Sequence, residues 1–159
     1  MSASTESAAS HDAFDRRVRE TIAASIRRRG SVPAMAQVAL DLRADADAVR
    51  ASFDRMIASH VFVPQRGSSE IYSYNPFCAE RTDFRVRSDG REWWALCGWD
   101  ALGIPAALAA AGTVETSCLD CGESIVVDVD RDGTAVASPG IVMQVGVRAA
   151  DFWKDIYFT

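Results

Sequence analysis

The sequence predicts an α+β protein. An N-terminal winged-helix-like three-helix unit with a β-hairpin is followed by a mixed β-sheet domain packed on a central helix. Three observations predict this. Apolar residues recur with helical period through the first sixty positions, as in Phe14, Val18, Ile22 and Ile26. From residue 61 onward, short β-branched and aromatic runs alternate with Gly-containing turns. Among those runs, one apolar helix-like run starts at Cys97 or Gly98 and continues to about Ala110. The expected divisions are a disordered tail over 1–11, a winged-helix-like domain over 12–76 and a catalytic or metal-binding domain over 77–159.

The elements follow in order. The first helix is expected from Asp12 to Arg29, where Gly30 ends it. Ser31 opens the second, with Pro33 near its start and Val38, Ala39 and Leu42 on its buried side. Asp45 caps a third helix through Ser59, striped by Val49, Phe53, Met56 and Ile57. Val61–Pro64 and Ile71–Tyr74 flank a turn at Arg66-Gly67-Ser68-Ser69 and form the hairpin. In the second half, Phe84–Arg87 and Glu92–Leu96 are strands around Ser88-Asp89-Gly90. Cys97 or Gly98 starts the central helix, which continues to about Ala110. Val114–Ser117 and Glu123–Val129 are strands around Cys118–Gly122. After a turn at Asp132-Gly133, Ile141–Val147 is a strand and Asp151–Lys154 starts a helical turn.

Composition narrows the function classes. Net charge is −5, and the second half carries the deficit. Strong nucleic-acid binding draws on phosphate neutralisation, so an acidic chain disfavours it. The longest nearly apolar stretch contains Pro105 and falls short of the ~20 residues that span a bilayer. The first eleven residues lack the basic start and apolar run of a secretory leader. A cytoplasmic protein without membrane partners is expected. Its four Cys are then expected as ligands, catalysts or core fillers rather than disulfides. Sixteen Arg against one Lys suggests a GC-rich bacterial genome and carries no chemistry.

Two constellations carry chemistry. Cys97 at the mouth of a helix faces the positive end of its dipole, which favours thiolate. Asp100, three positions on, shares its helical face. Repulsion from a thiolate would raise the Asp100 pKa and let it hold a proton for delivery. Alternatively, Cys97 is a buried small hydrophobe and Asp100 an N-terminal helix carboxylate. Cys118-x-x-Cys121-Gly122 is a knuckle that could hold zinc, but structural zinc takes four ligands and no second knuckle is present. Redox use, or a plain turn with two half-buried Cys, remains open. Trp93, Trp94 and Trp99 flank Cys97 as core residues or as walls of an apolar pocket. In the first half, Arg43, Arg50 and Arg55 are interleaved with Asp41, Asp45, Asp47 and Asp54. That pattern favours a scaffold over a DNA reader.

Leu96-Cys97-Gly98-Trp99-Asp100-Ala101-Leu102-Gly103-Ile104-Pro105-Ala106 resembles the Trp-Cys-Ala-x-Asp-x-Leu-x-x-Pro core of the organomercurial (alkylmercury) lyases, the MerB-like family. Cys118, twenty-one residues beyond Cys97, keeps the family's spacing, and the resemblance covers about residues 12–158. It implies protonolysis of a carbon–mercury bond to a hydrocarbon and mercuric ion, with no resident cofactor and mercury bound as substrate. It implies Cys97 and Asp100 as catalytic residues and Cys118 as structural. The soft ion calls for thiolates, and the carbon calls for a general acid. The family's other catalytic Cys lies late in the chain, whereas Ile141–Val147 contains none. Either the chain stops short of that Cys or lacks it; Cys121 or Cys78 could substitute, and weak activity is expected. The alternatives are a non-catalytic soft-metal binder using Cys97, Cys118 and Cys121, and a winged-helix metal-responsive regulator.

Overall fold

The structure, a computed structural model, describes residues 2–137 and 139–157, with side chains from residue 11 onward. It divides into two compact units, Met1–Tyr72 and Ser73–Thr159. No described helix is long and apolar enough to cross a membrane.

In the first unit, α1 runs Ser2–Arg29 and so includes most of the stretch expected as a disordered tail. That stretch contains neither Pro nor Gly, so nothing in it stops the helix from extending backward. Val18, Ile22 and Ile26 are buried on the predicted stripe. α2 spans Met35–Leu42, later than the predicted start at Ser31. Pro33 disfavours helical geometry in the residue before it, and the chain stays extended through Ala34. Ala34 has no capping side chain; the Glu70 carboxylate accepts the Met35 N–H instead, at 2.8 Å. α3 spans Ala46–Ala58, and Asp45 caps it by accepting from the amides of Asp47 and Ala48.

A polar cluster ties α1 to α3. The Asp15 carboxylate accepts from the Ser52 hydroxyl at 2.6 Å and from Arg55 Nε at 2.9 Å. The Arg55 bond holds the Asp15 pKa below its ordinary value. Ser52 is fully buried, so Asp15→Ala strands its hydroxyl. The expected cost is about 1–3 kcal/mol in a urea melt at neutral pH. A lowered folded pKa stabilises above the unfolded value and is lost as pH falls through the folded one. The gap between the two proteins should therefore close in acid.

The strands β1 (Val63–Pro64) and β2 (Ile71–Tyr74) form the predicted hairpin. The second unit begins within β2, where Ser73 and Tyr74 pair with Cys78 and Phe77 of β3 (Phe77–Cys78). Its main sheet has the order β5-β4-β6-β7-β8: β4 is Phe84–Ser88, β5 Arg91–Ala95, β6 Gly112–Ser117, β7 Ser124–Val129 and β8 Ala135–Ala137. Asp89 and Gly90 take the positive φ that a tight hairpin turn requires.

Every pair in this sheet is antiparallel, which corrects the expected mixed sheet. The reason lies in one connection. β5 is followed by α4 (Gly98–Leu108), and the chain returns as β6 on the far side of β4 rather than beside β5. Thus β5 and β6 run in the same direction but never pair.

Cross-strand register gives the sheet two faces. Trp93, Val86, Val114 and Val127 stand in one row across four strands, all buried. Ala101, Ile104 and Pro105 of α4 are buried with them. The opposite face carries Arg85, Arg87, Glu92 and Glu115 in a four-membered ion-pair network. Helix and sheet approach closely at Gly112, where an added Cβ would lie 2.8 Å from the Arg87 carbonyl and 3.0 Å from Pro105. Neither neighbour is a flexible tip. Gly112→Ala is expected to lower stability by about 1–3 kcal/mol, read as an earlier urea midpoint with unchanged slope.

Residues 141–147 form no strand, contrary to expectation. The run has β-propensity, but that propensity needs a partner and a face to bury. Val142 and Val145 are 85% and 61% exposed, so no apolar face is covered there. The predicted helical turn is present as a 3-10 turn, Ala149–Lys154, in which Asp151 pairs with Arg148 and Lys154.

Candidate active site

The end of β5 delivers Cys97 to the start of α4. Ala95, the last strand residue, is fully buried opposite Phe84. Cys97 keeps extended backbone angles, φ −148° and ψ 176°, and serves as the N-cap residue. One turn later Asp100 is buried, with 8% of its surface exposed. The apolar row beneath α4 therefore places a thiol and a carboxyl side by side in a largely desolvated position, where the Cys97 thiol donates a hydrogen bond to the Asp100 carboxylate.

Burial controls both acidities. It pushes the Asp100 carboxyl from the ordinary 3.8 up to about 6, with the Cys97 hydrogen bond acting in the opposite direction. The rise matches the direction expected from sequence, but its cause is desolvation rather than repulsion by a thiolate. The Cys97 thiol moves opposite to expectation. Burial raises it above 9.0, and the amides of Asp100 and Trp99 recover only part of the shift. Its side chain makes no capping hydrogen bond, so the helix N-terminus acts weakly on it. The resting pair at neutral pH is thus a thiol beside a carboxylate, holding one proton between them.

The three Trp residues separate. Trp93 is core, packed on Phe77 at 5.1 Å with its Nε1 donating to the Ser88 carbonyl. Trp94 stands on the charged face, under Arg81 at 5.6 Å. Trp99 is 72% exposed on the first turn of α4. They do not jointly wall a pocket. Met143 reaches the site instead: its sulfur lies 3.4 Å from where a Gly98 Cβ would stand, beside Phe84. No local sequence signal marks Met143, because the contact joins segments forty-five residues apart. Thr116 was also missed. Its hydroxyl is buried without a hydrogen-bond partner, on the face of β6 that carries Val114.

The other thiols lie elsewhere. Cys78 is buried in β3. Cys118 and Cys121 occupy the turn between β6 and β7, Cys118 half-buried and Cys121 exposed. The Cys121 and Asp120 amides face the Cys118 sulfur and lower its pKa, and the Cys121 thiol hydrogen-bonds to the same sulfur. The structure therefore makes two pairs, Cys97 with Asp100 and Cys118 with Cys121. It does not gather Cys97, Cys118 and Cys121 into one metal cluster. Among the described residues, no group of three or more Cys, His, Asp or Glu is arranged to hold a metal ion.

Comparison with known proteins places these observations in context. Residues 77–158 match the family model MerB, described as alkylmercury lyase. The fold is similar to a crystal structure of the mercury-bound form of MerB2, at 22% identity and a TM-score of 0.60. That similarity covers 78% of this chain and 60% of the other, so the chain spans about three fifths of that protein's length. No curated protein matches in sequence.

Proposed function

Because the chain belongs to the alkylmercury lyase family, whose model covers just over half of it, we propose that it cleaves carbon–mercury bonds by protonolysis. Cys97 is the mercury-binding thiol and Asp100 the proton carrier. One observation carries the reading: the carboxyl of Asp100, only 8% exposed, accepts a hydrogen bond from the one thiol at the helix mouth.

The steps follow from that proton's position. An organomercury cation meets the Cys97 sulfur, and the mercury–sulfur bond forms as the S–H bond breaks. The displaced proton passes to Asp100 along the existing hydrogen bond. Asp100 is then a neutral acid beside the bound carbon. It protonates that carbon as the carbon–mercury bond breaks, leaving a hydrocarbon, a carboxylate and a mercuric ion on the Cys97 sulfur. A soft ion prefers a second sulfur, so a small thiol from solution completes the coordination and carries mercury away. Desolvation favours this order, because burial keeps the proton on the pair until mercury displaces it.

The test is hydrocarbon release. Protein incubated with phenylmercury and excess small thiol should produce benzene by gas chromatography, and Cys97→Ala should not. Benzene at the Cys97→Ala level throughout would end the lyase reading.

The first unit is read as a winged-helix-like scaffold that does not bind nucleic acid. Arg28 and Arg29 are paired with Asp41, and Arg55 with Asp15, and the ten Arg of residues 1–72 stand against nine Asp and Glu, so the unit has little net positive charge to offer phosphates. A shifted duplex at low salt would overturn that part alone. A small organomercurial in a cytoplasmic setting is the proposed substrate context.

A further inference from the structure

The geometry points to a second soft-cation site: we infer that Cys118 and Cys121 together bind a mercuric ion as a two-thiolate clamp on the protein surface, apart from Cys97. Three observations support it. The two sulfurs are already in hydrogen-bonding contact across the turn. The turn is fixed by its own backbone, with the Gly122 N–H on the Cys118 carbonyl at 2.9 Å and the Cys118 N–H on the Glu123 carbonyl at 2.8 Å. Both thiols are free, Cys121 is exposed and Cys118 half-buried, so an ion from solvent can reach the pair.

The donor set selects the ion. Zinc takes four ligands in a structural site, and no third or fourth Cys, His, Asp or Glu joins this pair among the described residues. Two thiolates without further donors suit a soft cation that is content with two. Binding is a plain exchange. Two S–H bonds break, two mercury–sulfur bonds form, and two protons leave to solvent. No oxidant or reductant takes part.

Its position gives the clamp a role. Ala95 of β5 lies opposite Phe84, and Glu115 of β6 lies opposite Arg85 on the same β4 strand. Counting on from those pairs, Cys97 and Cys118 each lie two residues past the same level of the sheet. The ends of β5 and β6 are two strand spacings apart, about 10 Å. The exposed pair thus sits at the same end of the sheet as the buried thiol. It can accept a mercuric ion leaving Cys97 by thiol exchange, a role that rests on the lyase reading. The binding itself does not.

The test uses Cys97→Ser protein, which cannot run the proposed reaction. It is reduced, freed of small thiols and given one equivalent of mercuric chloride. Native mass spectrometry is then read after challenge with a tenfold excess of glutathione. One mercury per chain should remain. Adding Cys118→Ser or Cys121→Ser should each weaken retention by about a hundredfold, the advantage of two tethered thiols over one. Cys121 is exposed and Cys118 half-buried in a turn, and Ser replaces only the sulfur atom, so either Ser variant should keep the parent near-UV spectrum. Loss of mercury in both variants supports the clamp. No retention by the Cys97→Ser parent, or equal retention after either added substitution, overturns it. Benzene release by the wild type with a failed clamp would reject this site and leave the lyase reading standing.

Discussion

Asp100→Asn is expected to reduce hydrocarbon release by at least about a hundredfold, the usual scale of a lost general acid. The same change should make the protein more stable. The two effects share one cause, the burial of a carboxyl that is 8% exposed. Raising its pKa from 3.8 to about 6 means that the charged form is disfavoured in the folded state. The sign follows from linkage. A raised folded pKa contributes stability that is complete below the unfolded pKa and is lost as pH rises through the folded one. Above about pH 7 the wild type therefore holds a buried charge that Asn does not have. The shift corresponds to about 3 kcal/mol, an upper bound on the gain. Melts at pH 8 should separate the two proteins, with Asn the more stable, and the gap should shrink toward pH 4. An ordinary helix N-terminal carboxylate behaves oppositely, because it stabilises the first turn when charged. A variant less stable than wild type at pH 8 would return Asp100 to that structural role. Mercury should still bind the Asn variant through Cys97, so the loss falls on cleavage and not on capture.

The contrast between the two readings of Asp100 shows what the sequence could carry. Features set by neighbours in the chain were legible. The α1 stripe of Val18, Ile22 and Ile26, the Asp45 cap, the Asp89-Gly90 turn and the start of α4 all stand where local chemistry puts them. The pairing of Cys97 with Asp100 was legible for the same reason, being one helical turn. What the sequence misplaced depends on partners far along the chain. Ile141–Val147 has the residues of a strand and finds no ladder among the described residues. Whether β6 returns beside β5 or across β4 is a choice of topology, and periodicity is silent on it. The acidity of Cys97 belongs to the same class. The helix dipole is local and predicted a lowered pKa, whereas the burial that raises it comes from the packed sheet and helix. The separation of Cys118 and Cys121 from Cys97 follows from where β4 inserts, which no spacing of Cys residues encodes.

Cys97→Ala should lower activity to the uncatalysed background, and the wild-type pH profile should show why. The pair works only when it holds one proton. Below about pH 6 Asp100 is already protonated and cannot take the proton that mercury displaces from Cys97. Above the ordinary thiol value of 9.0, displaced further upward by burial, the pair has lost that proton and no acid forms. The profile of kcat/KM should therefore rise through about pH 6, hold a plateau and fall only beyond pH 9. Both limbs belong to the pair and not to either residue alone. A single limb rising with ordinary thiol ionisation would instead mean that Cys97 reacts as a solvent-exposed thiolate without help. The variant gives a second readout that needs no substrate. The Cys97 hydrogen bond draws the Asp100 pKa down against the rise caused by burial. Removing the thiol should move the Asp100 titration, followed by carboxyl carbon resonance, to higher pH than in the wild type. An unmoved titration would show that thiol and carboxyl do not share the proton, and the transfer from sulfur to carboxylate to carbon would lose its first step.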